Sequence, residues 1–177
     1  MLFEINRVVD TVIEILESQR PYYDTIINRY YEQRYLTIFK GQRVSIPLSD
    51  IPSIEVYPQT SNIEKFACRT FAENFGLGID ITLDESRPDY AVDLEGKLTT
   101  LTARILSRPP NMRTQIQGTA TSLLDSMAEN VQYGSVVSSG GGLVRVARFT
   151  WSGKALEFLS HKLFLTQRLG DSSTRIY

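Results

Sequence analysis

Residues 77–83 read Leu-Gly-Ile-Asp-Ile-Thr-Leu, with Leu77, Ile79, Ile81 and Leu83 alternating against Gly78, Asp80 and Thr82. A period of two places all four aliphatic side chains on one side of an extended chain. The segment is therefore a strand whose apolar face needs a covering layer. Other stretches carry the same signal: Val44, Ile46 and Leu48; Ile54 and Val56; Ile63 to Phe75, with Phe66, Cys68 and Phe71; 113–117; Val131 to Val137; and Leu143 to Trp151. Together they predict an antiparallel meander with one buried and one wet face.

The covering layer is predicted to be helical. Ile5, Val8, Val9, Val12, Ile13 and Leu16 recur at steps of three and four, an amphipathic N-terminal helix over about residues 3–18. Pro21 breaks it and opens a second helix carrying Tyr22, Tyr23, Ile26, Ile27, Tyr30 and Tyr31, so that residues 1–35 form a helical segment. Tyr90, Leu94, Leu98, Leu101 and Ile105 mark a third helix, after the turn Asp84–Asp89. Leu123, Leu124 and Met127 suggest a short fourth. Residues 155–166 fit helix or strand, Ser138–Gly142 reads as a flexible loop and 170–177 as a loose tail. The expected class is α+β, a single domain over 1–177 with an antiparallel or mixed sheet packed by a few helices.

Scarce residues narrow the chemistry. One Cys (Cys68) and one His (His161) exclude a structural zinc site and an internal disulfide. They leave one nucleophile–base pairing, which nothing local supports. Gly140–Gly142 lacks the Gly-Lys-Ser/Thr ending of a phosphate loop, and so does Ser152-Gly153-Lys154-Ala155. Asp80, Asp84, Glu85 and Asp89 match no calcium-loop spacing. No catalytic residue, metal or cofactor is expected. There is no apolar run of 18 residues and no signal-peptide start, so a soluble, intracellular protein without a membrane partner is expected.

Charge is near-neutral in total, with 19 basic and 20 acidic residues, but unevenly spread. Counting along the sequence, residues 1–50 carry −1 (six basic, seven acidic), residues 51–100 carry −5 (four and nine) and residues 101–177 carry +5 (nine and four). Arg104, Arg108 and Arg113 flank a helix end, where the macrodipole already accounts for basic residues. Arg145 and Arg148 lie on a strand. The split is what unlike surfaces meeting between copies would require. Tyr is enriched at interfaces, and five of the nine tyrosines lie between 22 and 35.

The order of elements, with Leu48-Ser49-Asp50-Ile51-Pro52-Ser53-Ile54-Glu55-Val56-Tyr57 leading into strands that end at Gly78–Leu83 and then a leucine-spaced helix, resembles the tail terminator (tail completion) proteins of long-tailed bacteriophages over residues 3–106. The resemblance implies a structural virion protein at the tail–neck junction, made in the host cytoplasm. It implies a homohexameric ring that caps the tail tube, stops its elongation and joins it to a neck, stopper or connector protein, with sheath and other tail proteins as further partners. DNA would pass through the ring as a non-specific occupant. On this reading Asp84, Glu85 and Asp89 line the channel, since carboxylates repel phosphates. Tyr22, Tyr30, Tyr31, Gln59, Asn62, Arg145 and Arg148 contribute to interfaces, with extended loops at 58–62 and 138–142 adding strand edges to neighbours. The alternatives are a neck, stopper or head–tail connector protein of the same region, a small hydrolase with a carboxylate site, and a cellular binding domain.

Overall fold

The computed structural model describes residues 5–43, 46–67, 70–107, 123–137 and 142–158. The predictions at Cys68, Arg108, 113–117, Arg113, Gly140–Gly141, His161 and 170–177 lie outside them.

The class is α+β: a mixed five-stranded sheet packed by three helices. Helix α1 (Ile5–Ser18) and α2 (Arg20–Ile27) precede β1 (Thr37–Lys40), a 3-10 turn (Leu48–Asp50) and the strands β2 (Ser53–Ala67) and β3 (Thr70–Asp84). Helix α3 (Pro88–Leu106) leads to β4 (Leu123–Val137) and β5 (Leu143–Phe158). The strand order is β1-β2-β3-β5-β4, antiparallel throughout except for the parallel β1–β2 pair.

The alternating run lies in the centre of this sheet. Leu77, Ile79, Ile81 and Leu83 pack with Ile54, Val56, Ala147, Phe149 and Trp151 under Val8, Val9, Val12 and Leu16 of α1 and Leu94 and Leu98 of α3. Polar tips within this layer are satisfied. The Tyr23 hydroxyl shares a 2.9 Å hydrogen bond with Thr102, and Trp151 Nε1 donates to the Leu106 carbonyl at 3.1 Å.

The structure corrects four expectations. Leu123, Leu124 and Met127 belong to strand β4, because pairing along β5 overrides their helix-like spacing. Helix α2 stops at Ile27, which leaves Tyr30 and Tyr31 in the following turns, where the Asp24 carboxylate accepts the Leu36 N–H. Leu48 sits in the 3-10 turn after Pro47 rather than in a strand. Residues 58–62 are not a loop but strand, paired with β3.

The wet face is also only partly wet. Ser53, Glu55, Tyr57, Asp80 and Thr82 lie on the side away from the helices and are buried. Gly78 explains part of this. The Tyr57 ring lies across it, in the space a side chain would take. Gly78→Ala is therefore expected to cost about 1–3 kcal/mol through overpacking. Gly96→Ala on α3, where nothing lies within 4 Å of the added methyl, should gain about 0.5–1 kcal/mol. Urea denaturation of the two variants checks both signs.

Candidate functional site

The acidic middle and the basic end of the sequence meet inside one chain. Strands β3 and β5 pair from Thr70↔Phe158 to Asp84↔Val144, which sets Asp80 opposite Arg148. Arg148 grips Asp80 bidentately, Nε to Oδ1 at 2.8 Å and Nη2 to Oδ2 at 2.6 Å, while the Tyr57 hydroxyl donates to Oδ1 at 3.1 Å. These charge-assisted bonds, above all that to Asp80, raise the Arg148 guanidinium pKa further. On the helical side, Arg145 donates to Glu95 Oε2 of α3 at 2.9 and 3.1 Å and to Glu85 Oε1 at 3.3 Å. Arg145, Glu85 and Glu95 are all largely shielded from solvent. Part of the charge complementarity expected between copies is thus consumed within the monomer.

Beside Asp80 lies Glu55, its partner in the ladder. Its Oε2 accepts the Arg43 N–H at 3.2 Å, while Oε1 has no hydrogen-bond partner among the described residues. Burial pushes the Glu55 carboxyl pKa up, the Arg43 N–H pulls it down and the Asp80 charge adds to the rise.

The three acidic residues assigned to a channel do not form an exposed row. Asp84 accepts from Arg34 Nη1 at 3.4 Å and from the Ser86 N–H at 2.9 Å, and Glu85 is tied to Arg145. Asp89 is exposed in the first turn of α3, on an open groove of about 760 Å³ shared with Ile26, Val92, Gly96 and Leu101. The tyrosines divide likewise. Tyr22 is exposed. The Tyr31 hydroxyl donates to the Asp84 carbonyl at 2.9 Å. The Tyr30 hydroxyl joins Asp93 and Lys97, whose hydrogen bond is the main cause of a lowered Asp93 pKa. Among the described residues no group of three or more His, Cys, Asp or Glu is placed to hold a metal ion. No helix among them is long and apolar enough to cross a membrane.

What sequence reasoning missed is the β4 edge of the sheet. Strand β4 pairs only with β5, so its other side is open among the described residues. Residues 130–136 of β4 are all exposed, including Val131 (38%), Tyr133 (56%) and Val136 (51%). Asn-Val-Gln-Tyr-Gly-Ser-Val contains no charge and no proline, two of the devices that normally blunt an edge, and its one interruption is the bulge at Asn130–Val131. Absence of charge in a β-rich run was the available signal. On the opposite side, β1 covers β2 only from Ser53 to Val56, and residues 58–64 of β2, with Gln59 and Asn62, form a second exposed stretch.

No protein-family model matches the chain, and neither does any curated protein. Among solved structures, a chain from the virion of a native gene transfer agent particle is similar, with a TM-score of 0.45 and 6% identity, covering 79% of this chain and 91% of that one. A second solved chain, designated only by a sequence number, gives a TM-score of 0.38 and 14% identity over 86% of this chain and 97% of its own length. At these TM-scores, the functional reading rests on this chain's own residues.

Two outcomes follow from the buried charges. Arg145→Met strands Glu95 without its cation and is expected to lower stability by about 3 kcal/mol in urea denaturation, with part of the loss recovered when Glu95→Gln is added. A raised carboxyl pKa in the fold means that Glu55 binds its proton more tightly there than in the unfolded chain. Its contribution is complete below the unfolded carboxyl pKa and is lost as pH rises through the raised value. Glu55→Gln should therefore stabilise the protein at neutral pH and flatten the decline of thermal midpoint between mildly acidic and neutral pH.

Proposed function

We propose that this chain is a structural assembly subunit, of the ring-forming kind found at the end of long bacteriophage tails. One observation carries the reading: the uncharged, proline-free and exposed run 130–136 on the edge of β4 that is open among the described residues. An edge of that composition favours pairing with another chain, and a protein kept as a monomer would be selected to blunt it. The fold supports the same reading. Its charged groups hold strands and helix together rather than converging on a reactive cavity.

In this role the ring binds the last ring of a tail tube, ends its growth and presents its other face to a neck or stopper protein. DNA passes through without specific contacts. Each copy needs two different surfaces to close a ring, and the sheet offers two different edges.

Mass photometry of the purified protein, alone and with tube protein, tests the proposal. A discrete closed oligomer is expected. Val131→Lys combined with Tyr133→Lys should yield monomers with a thermal midpoint close to that of the parent, because the two side chains are exposed. A parent that stays monomeric even with tube protein overturns the reading.

A further inference from the structure

The two open edges fit one another. Resting on the assembly reading above, we infer that β4 of one copy pairs antiparallel with residues 58–64 of β2 in a second copy, so that one sheet runs from subunit to subunit.

Direction permits it. β2 is antiparallel to β3, β3 to β5 and β5 to β4, so β2 and β4 run in opposite senses. Adding β2 of a second copy to β4 continues the antiparallel alternation without a break.

Side-chain parity then excludes every register offset by an odd number of residues. Ser61 pairs with Phe75, and Tyr133 pairs with Ala147, itself opposite Ile81. Phe75, Ile81 and Ala147 all belong to the core beneath the helices, so Ser61 and Tyr133 point to the helical side. Asn62 and Gln132 point to the other side. Setting Tyr133 opposite Ser61 therefore keeps the helices of both copies on one face of the shared sheet, whereas a slip of one residue would invert them.

The same register brings Val131, in the bulge next to Gln132, alongside Ile63, the one large apolar side chain exposed on the β2 stretch, at 43%. Gln132 then faces Asn62, an amide against an amide. Glu64, the single charge in either stretch, lies beside the bulge at Asn130–Val131 rather than opposite a carboxylate. Apolar surface thus meets apolar surface at Val131 and Ile63, amide meets amide at Gln132 and Asn62, and no like charges are opposed at the positions named.

The register also sets the geometry. The two stretches are centred level with Phe75 and Ile81, six residues apart along β3, which is a stagger of about 20 Å per copy at ~3.3 Å per residue. Each copy contributes β2, β3, β5 and β4 across the sheet, about 19 Å at ~4.8 Å per strand. A rise and a width this similar correspond to strands tilted about 45° from the assembly axis, close to the 35–45° at which closed sheets form.

Thiol cross-linking tests the pairing. Cys68, the single cysteine, is replaced by serine, and Asn62→Cys and Gln132→Cys are introduced separately and together. A short bis-maleimide is then added to protein whose oligomeric state has been measured, with thermal melts confirming that each variant folds. The doubly substituted chain should give a ladder of covalent multimers. An equimolar mixture of the two single variants should give dimers and nothing larger, and each single variant alone should stay monomeric on a denaturing gel. Three results overturn the inference while leaving the assembly reading intact: an oligomer in which Gln132→Cys links to itself, showing β4 paired with β4; an oligomer that links in none of these variants; and linking only when Tyr133→Cys replaces Gln132→Cys. Loss of the oligomer in the parent chain overturns the assembly reading itself.

Discussion

The pairing of β3 with β5 is the constraint on which the rest of the structure depends. It joins segments sixty or more residues apart over 15 consecutive pairs. It completes the apolar layer that α1 and α3 cover, and it brings Arg145 and Arg148 to carboxylates that would otherwise be buried without a cation. A single alignment thus serves packing and electrostatics together. A slip of one residue would send Arg148 toward the helices and Phe149 away from them.

Periodicity made much of this fold legible. The alternation at 77–83 identifies β3, and the three- and four-residue steps identify α1 and α3. Legibility failed where neighbours decide. Leu123, Leu124 and Met127 have helical spacing, yet the exposed backbone of β5 claims them as strand. Tyr30 and Tyr31 continue the rhythm of α2 beyond its end, since the chain must turn there toward β1. The charge asymmetry was visible in the sequence, but its resolution was not: Arg148 and Asp80 are 68 positions apart, and only the sheet order makes them neighbours. The role of Gly78 was hidden for the same reason, because Tyr57 reaches it across the ladder.

The two ends of the sheet are treated differently from its middle. In the centre, Asp80, Glu85 and Glu95 are paired with guanidinium groups within the chain, while the exposed run 130–136 carries no charge at all. An edge free of charge costs solubility as a monomer and gains complementarity in an assembly. The chain combines a centre held by internal ion pairs with one uncharged, proline-free border on β4 and a second border on β2 that carries only Pro58 and Glu64.

The order of the strands also bears on synthesis. β5 lies between β3 and β4 in space but follows both in sequence. While the chain emerges from a ribosome, Asp80, Glu85 and Glu95 are already made, yet their cations at 145 and 148 are still to come. The β2–β3 hairpin must wait with one flank open, and β4 has nothing to lie against. Closure comes only with the insertion of β5, which gives Asp80, Glu85 and Glu95 their cations and creates the outer border in the same step. A subunit made this way acquires its β4 contact edge only once its own interior is complete.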